Sequence, residues 1–173
     1  MKVRRLLTRL LLAAASLVLA LGVCEIALRV LIPPTELPEY LIDFDSDLGW
    51  RLVPGEYKVR RSEVLASHPI TINGMGFRDH EFTFQIPEGT RRVAFLGDSF
   101  TFGQLAPQEK TFPALVELLL AANATNTKHE VLNLGVPGFG TSQQLLLVRG
   151  MHSNGFRSDV YICCFFTNDI LDN

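Results

Sequence analysis

The sequence RRVAFLGDS at residues 91–99 decides the fold of the chain. Its centre, residues 93–96, is a short, continuous apolar run, which is typical of a strand buried on both faces of a sheet. Gly97 ends this run, and the polar residues Asp98 and Ser99 follow at once. We therefore predict a buried strand with a polar loop at its carboxyl end, the position where parallel α/β sheets carry their reactive groups.

The segments after this stretch alternate between helix and strand patterns. Residues 112–122 predict a helix, 130–134 a second strand, 141–154 a second helix and 159–166 a third strand. The resulting βαβαβ order predicts an α/β fold with parallel strands and helices on both faces of the sheet. In the first helix, an apolar stripe is expected to face the core; it consists of Leu115, Leu118, Leu119 and Ala122.

A polar cluster follows each of the three predicted strands, and the first two of these clusters contain glycine. The clusters are residues 97–99, 135–140 and 167–169. Each one alone could be an ordinary turn, since Gly, Asn, Asp and Ser are common turn residues. Because the carboxyl ends of parallel strands meet at one edge of a sheet, the three clusters together predict a functional site there.

In detail, these clusters resemble the characteristic blocks of the SGNH/GDSL hydrolases, in the type that is membrane-anchored in bacteria. Residues 97–100 match the first block and put Ser99 at the nucleophile position, with Phe100 in place of the usual leucine. Residues 133–138 match the second block and put Gly138 at the glycine of the oxyanion hole. Residues 167–169 match the third block and put Asn168 at its asparagine.

The resemblance implies a flavodoxin-like three-layer sandwich, of which about three strands are present here. It also implies a serine-dependent ester hydrolase that uses no cofactor and acts on a small-molecule or glycan ester. Two alternatives stay open. One is an O-acyltransferase acting on an extracellular glycan through the same acyl-enzyme, and the other is an inactive module that binds ligands in the same cleft.

The general base that a serine nucleophile needs is not evident in the sequence. The resemblance implies an Asp-x-x-His block near the C-terminus, and no such block occurs up to Asn173. We therefore expect the chain to be truncated before its catalytic His-Asp pair. The sequence contains four histidines (His68, His80, His129 and His152), and Asp79-His80 is a poor match to the Asp-x-His of related acetyltransferases.

The N-terminus combines a basic start with a long apolar run. Lys2, Arg4, Arg5 and Arg9 precede an apolar segment at residues 10–32, which as a helix would be about 35 Å long and could cross a bilayer. This length favours an uncleaved transmembrane anchor over a cleaved signal, a lipoprotein signal or a soluble amphipathic helix. The positive-inside rule then puts the rest of the chain outside the cytoplasm, in the periplasm or the extracellular space.

These patterns divide the chain into four parts. They are a basic n-region (1–9), an anchor or signal segment (10–32), a linker with a β-rich lead-in (33–90) and a partial hydrolase domain (91–173). After Pro33 the chain carries 11 basic and 17 acidic residues, and this mildly acidic body argues against nucleic-acid binding. The three cysteines and the histidines lack the spacing of a metal site or a disulfide framework.

Overall fold

A computed structural model describes residues 2–31, 41–58, 68–123 and 126–170. The described residues belong to two compact units. The first contains the N-terminal helix, and the second contains all the strands together with the remaining helices. Residues 33–40, the start of the predicted linker and lead-in, lie outside the described residues.

Helix α1 (Lys2–Leu31) forms the first unit. Its apolar stretch has a mean hydropathy of 2.4 and is long enough to cross a bilayer, a criterion that an N-terminal signal sequence meets as well. Glu25 and Arg29 interrupt this stretch, and they form an i,i+4 ion pair with an N–O distance of 2.7 Å. The pairing reduces the cost of two charges in an otherwise apolar segment.

The lead-in forms two antiparallel strand pairs, in agreement with its predicted β-rich character. The first pair joins β1 (Ile42–Asp45) to β2 (Gly49–Leu52), and the second joins β3 (Gly55–Lys58) to β4 (Pro69–Ile72). Leu52, Ile70 and Ile72 are buried and belong to the same apolar cluster as the sheet. The lead-in thus shares its core with the α/β part of the second unit.

A three-stranded parallel sheet with the order β6-β5-β7 forms the centre of the second unit. The strands and the helices that connect them are β5 (Thr90–Leu96), α2 (Ser99–Phe102), α3 (Phe112–Asn123), β6 (Lys128–Asn133), α4 (Thr141–Ser153) and β7 (Val160–Cys163). Val93 of the central strand is paired with Val131 on one side and with Val160 on the other. The predicted mixed α/β class with a parallel sheet is confirmed.

Two details differ from the prediction. Strand β7 ends at Cys163 and not at residue 166, because its partner β5 ends at Leu96 and the Cys164 N–H makes the last bond to it. The leucine stripe of α3 does not face the core: Leu118 and Leu119 are 65% and 62% exposed. Since α3 is apolar on several sides, its composition does not indicate which side packs against β6.

Arg92 on β5 is fully buried and connects the lead-in to the sheet. Its Nε donates to Glu130 Oε2 at 2.6 Å, and its terminal nitrogens donate to the backbone carbonyls of Phe84, Gln85 and Arg157. Its guanidinium also lies 5.3 Å from the centre of the Phe156 ring. A buried guanidinium with this many partners fixes the segments around it, because each partner would be left unsatisfied without it.

We expect Arg92→Met to lower the free energy of unfolding by about 3–5 kcal/mol, because it leaves the Glu130 carboxylate without its buried partner. Urea unfolding of the full chain in detergent measures this change. The matched control is Arg91→Met, which alters the exposed neighbour on the same strand. Equal effects of the two substitutions would contradict the role assigned to Arg92.

Candidate active site at the carboxyl ends of the strands

Ser99 is the first residue of helix α2, which begins directly after the central strand. Asp98 is the N-cap of this helix: its carboxylate accepts the Phe100 N–H at 2.9 Å, and its side chain is buried. The cap satisfies a backbone donor that the start of a helix leaves free. Asp98 therefore has a structural role as the cap of α2, and Ser99 is held by a capped turn.

Two glycines let α2 come unusually close to the loops that follow β5 and β6. A Cβ atom on Gly97 would lie 2.0 Å from Thr101 Oγ1, and one on Gly135 would lie 2.5 Å from the Phe102 backbone nitrogen. Neither distance is compatible with a side chain. The Val136 N–H donates to Gly97 O at 3.0 Å and joins the two loops. The first two predicted clusters are thus in direct contact.

Arg78 stabilises the C-terminal end of α2 and the loop after it. This buried side chain donates to the carbonyls of Phe102, Gly103 and Ala106 at 3.1, 2.5 and 2.8 Å. Burial lowers the pKa of Arg78 to about 10, while Glu109 acts in the opposite direction. Even so, the guanidinium stays charged at neutral pH, so it can satisfy the carbonyls at the end of the helix and fix the loop after it.

In the second cluster, the candidate oxyanion glycine Gly138 lies in a tight turn. Its φ angle of +80° favours glycine, and the turn is closed by a bond from the Phe139 N–H to Val136 O. The Gly138 N–H has no hydrogen-bond partner among the described residues. Trp50 of the lead-in lies against this turn and donates from Nε1 to Pro137 O at 3.1 Å. The lead-in therefore supports the candidate oxyanion loop.

The third cluster follows β7 as a single 3-10 turn, Thr167–Ile170. Asp169 is buried, and its carboxylate accepts the Phe166 N–H at 3.0 Å. The backbone of Asn168 belongs to this turn, but its side chain, the other candidate oxyanion donor, lies outside the described residues. A ring contact between Phe166 and Phe100, with centroids 4.2 Å apart, joins the third cluster to the first.

A cavity of about 370 Å³ opens beside Ser99. It is lined by Ser99, Phe100 and the loop from Gly103 to Ala106, which is the loop that Arg78 holds. Ser99 is only partly buried, and it lines this cavity at the carboxyl end of the central strand.

Among the described residues, no hydrogen bond joins a histidine to the Ser99 hydroxyl. His68 contacts the loop that lines the cavity, and its Nε2 lies 3.3 Å from Gln104 O. The sequence pattern did not indicate this contact. His152 is paired with the Tyr161 hydroxyl. His80 lines a different cavity of about 320 Å³ together with Asp79 and Glu117, so it does not serve the Ser99 cavity.

His80 and Asp79 instead belong to a charged cluster at the free edge of β6. Asp79 accepts the Asn133 N–H at 2.6 Å and pairs with His80 Nδ1 at 2.7 Å, and Glu117 accepts the Val131 N–H. The hydrogen bond to Asp79 raises the pKa of His80 to about 9, with further contributions from the charges of Asp79, Glu117 and Glu130. These carboxylates occupy the donors of an edge strand and protect it from pairing with another chain.

The described residues contain no cluster of His, Cys, Asp and Glu that could hold a metal ion. Burial raises the pKa values of the Cys163 and Cys164 thiols, which therefore stay protonated at neutral pH.

No protein-family model matches the chain, and a search of the curated proteins finds no significant match.

We expect Gly135→Ala to destabilise the protein by about 1–3 kcal/mol or more and to displace α2, because the new methyl group would meet the Phe102 backbone. Thermal unfolding and the backbone amide shifts of residues 99–102 measure the two effects. Gly150→Ala is the control, since nothing lies within 4 Å of the position that its new methyl group would take and alanine favours the helix. A Gly135→Ala protein as stable as this control would refute the close approach.

The His80 cluster predicts a pH dependence of stability. Because the folded-state pKa of His80 is above its ordinary value of 6.5, its contribution is complete below pH 6.5 and is lost as the pH rises through about 9. The free energy of unfolding should fall over this range, and less so in His80→Gln. An NMR titration of the His80 ring that gave a midpoint near 6.5 would contradict the pairing with Asp79.

Proposed function

We propose that this chain is an SGNH/GDSL-type serine ester hydrolase with Ser99 as its nucleophile. The observation that carries the proposal is the position of Ser99 on a capped helix directly after the central strand, in contact with the loop that bears Gly138. A cavity lined by residues without ionisable side chains opens beside Ser99. These features support acyl transfer through a serine nucleophile.

We further propose that the sheet belongs to a flavodoxin-like three-layer sandwich. In chain order, the strand arrangement β6-β5-β7 is 2-1-3, which matches the first three strands of the flavodoxin-like order 2-1-3-4-5. In that fold, ligands bind at the carboxyl ends of strands 1 and 3, where the order of connections reverses. The counterparts here are β5 and β7, and the loops after these strands contain Ser99 and Asn168.

The proposed chemistry is nucleophilic acyl transfer. Ser99 Oγ attacks the ester carbonyl and gives its proton to a base, the alcohol leaves with a proton, and water then releases the acid from the acyl-serine. The developing oxyanion would accept hydrogen bonds from three donors: the backbone N–H groups of Ser99 and Gly138 and the side-chain amide of Asn168. Loss of one such donor typically costs about 2.7–4 kcal/mol of transition-state stabilisation.

The proposed location follows from α1. With this helix as a single membrane span, the basic residues 2–9 lie in the cytoplasm and the second unit acts outside it. Substrates would then be small-molecule or glycan esters of the periplasm or the extracellular space.

One observation favours a second candidate, a module that binds acylated ligands without hydrolysing them. Within the described residues, Ser99 has no histidine bonded to its hydroxyl, and the contact of His68 is with the backbone of the cavity loop. A serine without a base is a weak nucleophile. Turnover that depends on Ser99 separates the two candidates.

We expect Ser99→Ala to lower the hydrolysis of p-nitrophenyl acetate by the full chain about 100-fold or more, since it removes the nucleophile. The matched control is Ser153→Ala, which removes an exposed hydroxyl at the end of α4 that bonds only the Arg149 carbonyl. Initial rates are read from the release of p-nitrophenolate. Equal rates for wild type and Ser99→Ala, including no hydrolysis by either, would reject the hydrolase.

A further inference from the structure

The cavity beside Ser99 has an apolar rim. Phe100 and Leu105 line it, and each is 61% exposed although both are large apolar side chains. Phe166, which contacts the ring of Phe100, extends this surface and is 41% exposed. Contiguous exposed apolar side chains around a cavity are characteristic of a ligand site.

The rim also lacks charge. The residues that line the cavity are Ser99, Phe100, Gly103, Gln104, Leu105 and Ala106, and none of them has an ionisable side chain. Arg78 contacts this loop, but its side chain is buried and donates to the carbonyls of Gly103 and Ala106. A ligand in the cavity therefore meets one hydroxyl, one amide and otherwise apolar surface.

The cavity loop is held in place before any ligand binds. Arg78 bonds the carbonyls of Gly103 and Ala106, the Ala106 N–H donates to Gly103 O at 2.9 Å, and His68 contacts Gln104 O. Leu105 lies at the centre of this loop. A fixed loop that exposes a leucine loses little conformational freedom when an apolar group covers it.

We propose that this cavity is the binding site for the acyl chain of the substrate, and that this chain is aliphatic and longer than acetyl. The proposal rests on Ser99 as the nucleophile of an ester hydrolase. The acyl group, unlike the alcohol, stays bonded to Ser99 Oγ between the two steps, so it must occupy the space next to this atom in both. The apolar rim of Phe100, Leu105 and Phe166 fits an aliphatic chain there.

The first test measures binding without turnover. Hexanamide and acetamide, uncharged analogues of the acyl half, are titrated by NMR against the full chain in nanodiscs. Hexanamide should bind about tenfold more tightly, because part of its four additional methylenes is buried. Leu105→Asn should reduce this preference about fivefold, and Leu105→Met should retain it.

The matched control is Leu118→Asn, which makes the same change at an exposed leucine of α3. Any partition of hexanamide into the nanodisc contributes equally to the signals of both variants. Equal binding of the two amides, or the same preference in Leu105→Asn as in Leu118→Asn, would overturn the proposal. Matching circular dichroism spectra show that the variants are folded.

The second test uses hydrolysis and separates the proposal from the function on which it rests. The ratio of hexanoate to acetate turnover with p-nitrophenyl esters should exceed one and should fall in Leu105→Asn. Hexyl acetate and ethyl acetate differ instead in the length of the alcohol. Ser99-dependent turnover that prefers hexyl over ethyl acetate, without preferring hexanoate over acetate, would overturn the assignment of the cavity to the acyl chain. Tight hexanamide binding with no Ser99-dependent turnover would reject the hydrolase and support the apolar site as a binding site.

Discussion

The close approach of helix α2 to the ends of β5 and β6 is the constraint on which the site depends. It is possible only because positions 97 and 135 carry no Cβ atom, and any side chain there would collide with Thr101 or Phe102 of this one-turn helix. The approach joins the loop after β6 to the end of the central strand, through the bond from the Val136 N–H to Gly97 O. A nucleophile and its oxyanion donors need this kind of rigid placement, because small displacements cost large factors in rate.

Two buried arginines, Arg78 of the lead-in and Arg92 of β5, stabilise this arrangement. Arg92 joins the backbone of residues 84–85 to Glu130 and to the segment before β7, and Arg78 closes the carboxyl end of α2. Both charges are buried, so each is costly unless all its partners are in place. These bonds couple the stability of the lead-in to that of the α/β part of the unit. The bonds from Arg78 to Gly103 and Ala106 also shape the cavity beside Ser99.

Sequence patterns are sufficient for the strands and for the edge of the sheet where the polar clusters meet, because a buried parallel strand requires a continuous apolar run that ends in loop residues. They are insufficient wherever a long-range contact decides the outcome. The burial of Arg78 and the contact of Trp50 with Pro137 join residues far apart in the chain, and no local pattern marks them. The prediction of a core stripe on α3 is wrong for its exposed leucines, since an apolar helix does not show which of its faces packs.

The proposed function requires Ser99 to be a chemically activated nucleophile. Its most direct test is to treat the full chain with a biotinylated fluorophosphonate, which an activated serine hydroxyl attacks with loss of fluoride, and to locate the adduct by tandem mass spectrometry of the digested protein. We expect one adduct, on Ser99, that disappears in Ser99→Ala. Labelling that is absent, or that is unchanged by this substitution, would contradict it.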